Sequence, residues 1–187
     1  IISKTENSHG SQAVLFLDPM HQLHNSEPDY AWQIRGEENT HRILANSGRR
    51  RLNIIGALNP LTLIPTIVLT EDNCDREMMM VFLEEIRKEY PDCETIHIFL
   101  DNASYNRAYD TGEKATELGI KLHYLPPYCP NLNLIERLWK FCKKKLVKNK
   151  YYPTFDLFFQ AHCDFFRDIE KYQQELNTLL ALNFEII

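Results

Sequence analysis

The chain has 187 residues, 44% of them hydrophobic and 11% aromatic, with a formal net charge of -5. That length suits one globular domain with one sizeable core, and the apolar runs fall short of the roughly 20 residues a membrane helix needs, so no membrane span is expected. The five cysteines, Cys74, Cys93, Cys129, Cys142 and Cys163, contain no C-x-x-C pair, which argues against a zinc site or a disulfide framework and fits a reducing cytoplasm.

Residues 1–10 are polar and aperiodic and read as a linker, leaving 11–187 as the folded domain. Ala13-Val14-Leu15-Phe16-Leu17-Asp18 is a continuous apolar run ending in an acid before Pro19, the pattern of a strand buried on both faces. Segments 30–34, 52–58 and 63–69 follow as further strands, separated by Arg35-Gly36, Ser47-Gly48 and Asn59-Pro60. Together they predict an antiparallel meander.

From Asp75 to Tyr90, apolar residues near helical spacing, early acids, late Arg87-Lys88 and a following Pro91 predict a helix. Thr95 to Leu100 reads as a second apolar strand ending in an acid, Asp101. A helix from Tyr105 to Leu118 closed by Gly119 follows, then a short strand from Lys121 to Leu125 stopped by Pro126-Pro127. From about Asn131 to Val147, Ile135, Leu138, Trp139, Cys142 and Leu146 form one amphipathic face. Thr154 caps a last helical region reaching about Leu182. Strands first, then alternating helices and strands, make an α/β domain with a mixed sheet covered by helices.

Two strands ending in Asp18 and Asp101 would, as sheet neighbours, bring two carboxylates to one edge, where like charges repel unless a cation or proton intervenes. Mg²⁺ suits such a pair, because it takes oxygen ligands and completes its shell with water and substrate phosphate. Two ions roughly 4 Å apart can activate the attacking oxygen and stabilise the leaving one in phosphodiester cleavage. The third acid is expected from the amphipathic helix, where Glu136 sits at the border of the apolar stripe, with Lys140 and Lys143 one and two turns further along it.

Basic residues cluster at Lys140, Lys143 and Lys144 and again at Arg49-Arg50-Arg51, an electrostatic footprint for nucleic acid despite the acidic total. Asn102 and His21 join Lys140, Lys143, Lys144, Arg49 and Arg50 as candidate DNA contacts, and Asn133 as a support for Glu136. Trp139 reads as core, not as a base-stacking platform, because it belongs to the apolar stripe. The His21/His24 pair lacks further ligands at metal spacing.

Leu17-Asp18, the stretch Phe99-Leu100-Asp101-Asn102-Ala103-Ser104-Tyr105, and the stretch from Leu125-Pro126-Pro127-Tyr128 through Glu136 to Lys140 resemble the signatures of mariner-type DDE transposases in their bacterial insertion-sequence branch. The 34 residues between Asp101 and Glu136 match that branch's spacing, and Tyr30-Ala31-Trp32 before Gly36 resembles its second strand. The resemblance implies a ribonuclease-H-like fold in which Asp18, Asp101 and Glu136 are the catalytic acids. They would bind two Mg²⁺ ions, with Mn²⁺ as a substitute, for hydrolysis at transposon ends and attack of a 3′-OH on target DNA. It further implies a homodimer in the DNA complex, acting in the cytoplasm at the nucleoid. The family's N-terminal helix-turn-helix modules are not recognisable in these residues. Departures are Pro19 where Glu is frequent, Asn106 where His is common, and Leu134 where Pro is usual. A structure-specific nuclease on the same fold and an inactive DNA-binding or assembly module are the alternatives, and fold alone does not separate them.

Overall fold

The structure is a computed structural model that describes residues 12–27, 44–45, 47–127 and 132–180. The expected strand at 30–34, the Tyr128-Cys129-Pro130 turn and Asn131 lie outside the described residues. In chain order the elements are β1 (Gln12–Asn25), β2 (Ser47–Leu58), β3 (Pro65–Thr70), α1 (Arg76–Glu89), β4 (Thr95–Leu100), α2 (Tyr109–Glu117), β5 (Ile120–Tyr124), α3 (Ile135–Leu146) and α4 (Phe155–Arg167). A 3₁₀ turn (Ile169–Tyr172) and α5 (Gln173–Leu179) complete them.

The five strands form one sheet in the order β3-β2-β1-β4-β5. β1, β2 and β3 are antiparallel, and β1, β4 and β5 are parallel; β1 pairs directly with β2, whereas the expected meander has the 30–34 segment follow the first strand. Alternation along β1 assigns its faces. Ala13, Leu15 and Leu17 pack with Phe82, Leu83 and Ile86 of α1, whereas Val14, Phe16 and Met20 pack with Leu138 and Trp139 of α3 and Phe158 of α4. Both faces are covered, which is why the run from Ala13 to Leu17 is uninterruptedly apolar. Asp18, one step beyond Leu17, therefore belongs to the α3 face.

β1 does not stop at Asp18. It runs through Pro19 to Asn25, paired with β2, while its pairing with β4 ends at Phe16. Beyond that point β1 is an edge on one side, and an edge strand tolerates a residue with no N–H. Likewise Ser47-Gly48 begins β2 instead of breaking the chain. A Cβ at Gly48 would lie 2.2 Å from the His24 carbonyl oxygen, so the close approach of the two strands at the bulge beside Asn25 needs glycine.

α1 follows the sequence reading closely, with the Asp75 carboxylate accepting from Met78 N–H at its N-cap. The helix expected from Tyr105 starts instead at Tyr109, because residues 103–107 are folded into turns around Asp101. The C-terminal helical region is three pieces. α4 ends at Arg167, and Asp168 accepts the backbone N–H of Lys171 to re-aim the chain into the 3₁₀ turn. Among the described residues no helix is long and apolar enough to cross a membrane.

Candidate active site

Strand register brings the first two acids together. Phe16 of β1 stands opposite Phe99 of β4, so continuing the same parallel register by two residues sets Asp18 beside Asp101. The third acid comes from the first turn of α3, which packs on β1. Asn133 ties the two elements: its buried amide donates to the Leu17 carbonyl oxygen at 3.0 Å, one residue before Asp18, and its own carbonyl accepts the Glu136 N–H. Glu136 is thereby held on the face of β1 that carries Asp18, close to where β4 ends before Asp101.

Each acid has a distinct setting. Asp101 is exposed, and its Oδ1 accepts from the Ala103 N–H at 3.0 Å and from the Asn106 side-chain amide at 2.8 Å. Asn106 is fully buried and its backbone carbonyl accepts the Tyr124 hydroxyl. Asp18 is half-buried, and its Oδ2 accepts from the indole N–H of Trp139 at 3.1 Å. Burial first, then the charges of Glu136 and Asp101, push the Asp18 carboxyl up to about 7, against the opposing pull of the Trp139 hydrogen bond. Burial also raises Glu136, with Lys140 lowering it and Asp101 raising it. Burial and then the charges of Asp101 and Asp18 push the Tyr105 phenol up, so this ring stands within electrostatic reach of two of the acids.

Two of the acids, Asp18 and Glu136, border a cleft of about 300 Å³ that is also lined by Met20, His21, Lys140 and Lys143, while Asp101 lies outside its lining. Among the described residues no three His, Cys, Asp or Glu side chains are drawn close enough to hold a metal by themselves.

The remaining sequence candidates divide. Lys140 and Lys143 line the acid cleft, and Lys144 borders a neighbouring groove with Phe141, Glu175 and Leu179. His21 reaches the cleft rim, its Nδ1 2.7 Å from the Asn53 side-chain oxygen. Arg49 is exposed on β2, away from the cleft lining. Arg50 makes a bidentate pair with Glu71 and lies 4.0 Å over the Phe155 ring, which neutralises much of its charge. The Asn102 amide donates to the Leu125 carbonyl oxygen at 2.5 Å, clamping the ends of β4 and β5.

Asn133, expected as a support for Glu136, accepts the Glu136 N–H and in addition anchors on Leu17. Sequence reasoning missed two supports, the bond from Trp139 to Asp18 and that from Asn106 to Asp101, and only the first carried a signal. A tryptophan placed in a core stripe must find an acceptor for its N–H.

A family profile described as DDE superfamily endonuclease matches residues 13–158. An uncharacterized protein of Sinorhizobium fredii, y4pE/y4sA, is 30% identical over 83 residues, 44% of this chain and 59% of that protein. The crystal structure of the Mos1 mariner paired-end complex with Mn is similar in fold at a TM-score of 0.70 and 13% identity, covering 96% of this chain and 56% of that one. The catalytic domain of Mos1 mariner transposase matches at 0.62 and 10%, covering 96% of this chain and 82% of that one. This chain thus spans little more than half the length of the first of these relatives. The profile spans most of the chain, and the chain belongs to the DDE superfamily endonucleases.

Proposed function

We propose that this chain is the catalytic part of a transposase, cutting DNA at the ends of a mobile element and joining the freed 3′-OH to target DNA. The observation that supports the reading is that Asp101, just past the end of β4, and Glu136, on the first turn of α3, both lie near enough to Asp18 for their charges to add to burial in pushing its carboxyl up to about 7. Carboxylates set so that their own charges oppose one another are a donor set completed by a cation.

The donor set is all oxygen, which suits Mg²⁺, or Mn²⁺ in its place, and Asp18, Asp101 and Glu136 would hold it. A pair of such ions would supply activation of the attacking oxygen and charge neutralisation at the leaving one. The chain's own groups do the rest. Asp18 would lose its proton on ligating a cation, Asn106 and Ala103 keep Asp101 aimed, and Lys140 and Lys143 would hold DNA phosphates along the cleft. Lys144 extends that basic face, while Arg49, Arg50 and His21 lie at its margins. Hydrolysis breaks the bond between phosphorus and the 3′ oxygen. In joining, that 3′ oxygen attacks a target phosphodiester and displaces another 3′ oxygen, so the number of phosphodiester bonds is kept.

Mos1 assemblies similar in fold are described as paired-end and strand-transfer complexes. By analogy this protein works as a homodimer that pairs two DNA ends, in the cytoplasm on nucleoid DNA. The test incubates the full-length protein with labelled DNA carrying the element's ends, unlabelled target plasmid and Mg²⁺. Labelled ends joined to the plasmid support a transposase. Metal-dependent nicks without joined product would instead assign a nuclease on the same fold.

A further inference from the structure

We propose that Trp139 is a positioning residue for Asp18, its indole N–H fixing the orientation of the carboxylate that receives the cation. The inference rests on the reading that the three acids bind divalent metal. Its basis is how completely the surroundings of the ring are arranged around that one hydrogen bond.

Trp139 is 5% exposed, and its N–H donates to Asp18 Oδ2 at 3.1 Å. The ring lies across β2 at Gly56, the residue directly opposite Asp18 in the antiparallel register. A Cβ at position 56 would fall 2.5 Å from Cη2 and 2.9 Å from Cζ2 of the indole and 2.8 Å from Cδ1 of Ile67. Real Cβ atoms do not approach that closely, so only glycine at 56 lets the indole sit low enough to meet Asp18. From the outer side Phe166 of α4 packs edge-on against the indole, with centroids 6.2 Å apart and planes at 89°. The sheet, α3 and α4 therefore leave the ring little freedom to turn its N–H elsewhere.

The chemistry of the donor limits what the contact can do. An indole N–H donates and accepts nothing, so it cannot ligate a cation, and it takes up one of the lone pairs on Oδ2. Oδ1 and the remaining lone pair of Oδ2 stay available to metal, in an orientation set before metal arrives. Partners of ligand groups placed in this way govern affinity as well as geometry. A purely core-filling tryptophan would be replaced without functional loss by phenylalanine, which keeps the apolar stripe and lacks the donor.

Mn²⁺ affinity measured by electron paramagnetic resonance on the full chain, with melting curves alongside, separates these roles. Asp18→Asn abolishes the tight site. Trp139→Phe, and Gly56→Ala, which keeps the tryptophan and displaces it, each weaken Mn²⁺ binding about tenfold or more while the folded protein persists. Leu83→Ala, on the opposite face of the sheet, lowers the melting temperature and leaves the affinity unchanged. Wild-type affinity in folded Trp139→Phe, with binding lost in Asp18→Asn, overturns the positioning role alone. Wild-type affinity in Asp18→Asn overturns the metal reading and this inference with it.

Discussion

Replacing Asp18 by asparagine is expected to stabilise the metal-free protein above neutral pH. The gap between the ordinary value of 3.8 and about 7 corresponds to about 4 kcal/mol of unfavourable free energy for keeping Asp18 ionised in the fold. Because the folded value lies above the unfolded one, the contribution of Asp18 is intact below pH 3.8 and is lost as the pH rises through about 7. Asparagine has nearly the same shape, carries no charge, and offers Trp139 an amide oxygen. Urea denaturation in EDTA at pH 8 should therefore show Asp18→Asn more stable than the wild type by about 2–4 kcal/mol, the lower figure allowing for the partial exposure of the site. In melting temperature that is a gain of roughly 5–10 °C for a chain of this size. At pH 5 the advantage should shrink to less than half, since Asp18 is then protonated in the fold. Millimolar Mg²⁺ should raise the wild-type midpoint and leave the variant unmoved. A variant equal to or less stable than wild type at pH 8 without metal would refute the electrostatic reasoning.

The same titration predicts that metal affinity rises with pH up to about 7 and then levels off, with protons released on binding below about 7, measurable by calorimetry in buffers of different ionisation enthalpy. Asn106→Ala removes a buried donor from the Asp101 carboxylate. It should cost about 1.5–3 kcal/mol in stability and about 10–100-fold in DNA nicking, checked by urea titration and by a plasmid-relaxation assay. Lys143→Ala should reduce the slope of log affinity against log salt for DNA by about one. Arg50→Ala should change that slope far less, because its charge is already committed to Glu71.

What the sequence made legible follows from how local each signal is. β4 was readable to the residue, Thr95 to Leu100, because a six-residue apolar run between a turn and an acid needs no knowledge of its neighbours. Asp101 came with it, and Glu136 came from the helical period of α3. The end of β1 was not readable. Whether Pro19 stops a strand depends on where β4 ends, and that is a fact of tertiary pairing. The start of α2 was misplaced because the Asp101 carboxylate and Asn106 take up the backbone that helical periodicity assigned to the helix. Trp139 was correctly placed in the core, yet its partner lies 121 residues away, on a strand that periodicity in α3 cannot see. The Arg49–Arg51 run looked like a DNA footprint beside the lysines. The fold instead spends Arg50 on Glu71 and Phe155 and ties Arg51 to the Asn73 side chain.

The central claim is that Asp18, Asp101 and Glu136 form one metal-dependent site for cutting DNA. The most direct measurement compares nicking of labelled element-end DNA by the full-length protein in Mg²⁺, Mn²⁺ and EDTA with that by Asp101→Ala, whose melting curve is recorded alongside because the change leaves the buried Asn106 amide without its acceptor. The account predicts nicking in either metal, none in EDTA, and none in the variant although it folds and binds DNA. Nicking that survives in folded Asp101→Ala, or that proceeds in EDTA, would contradict it.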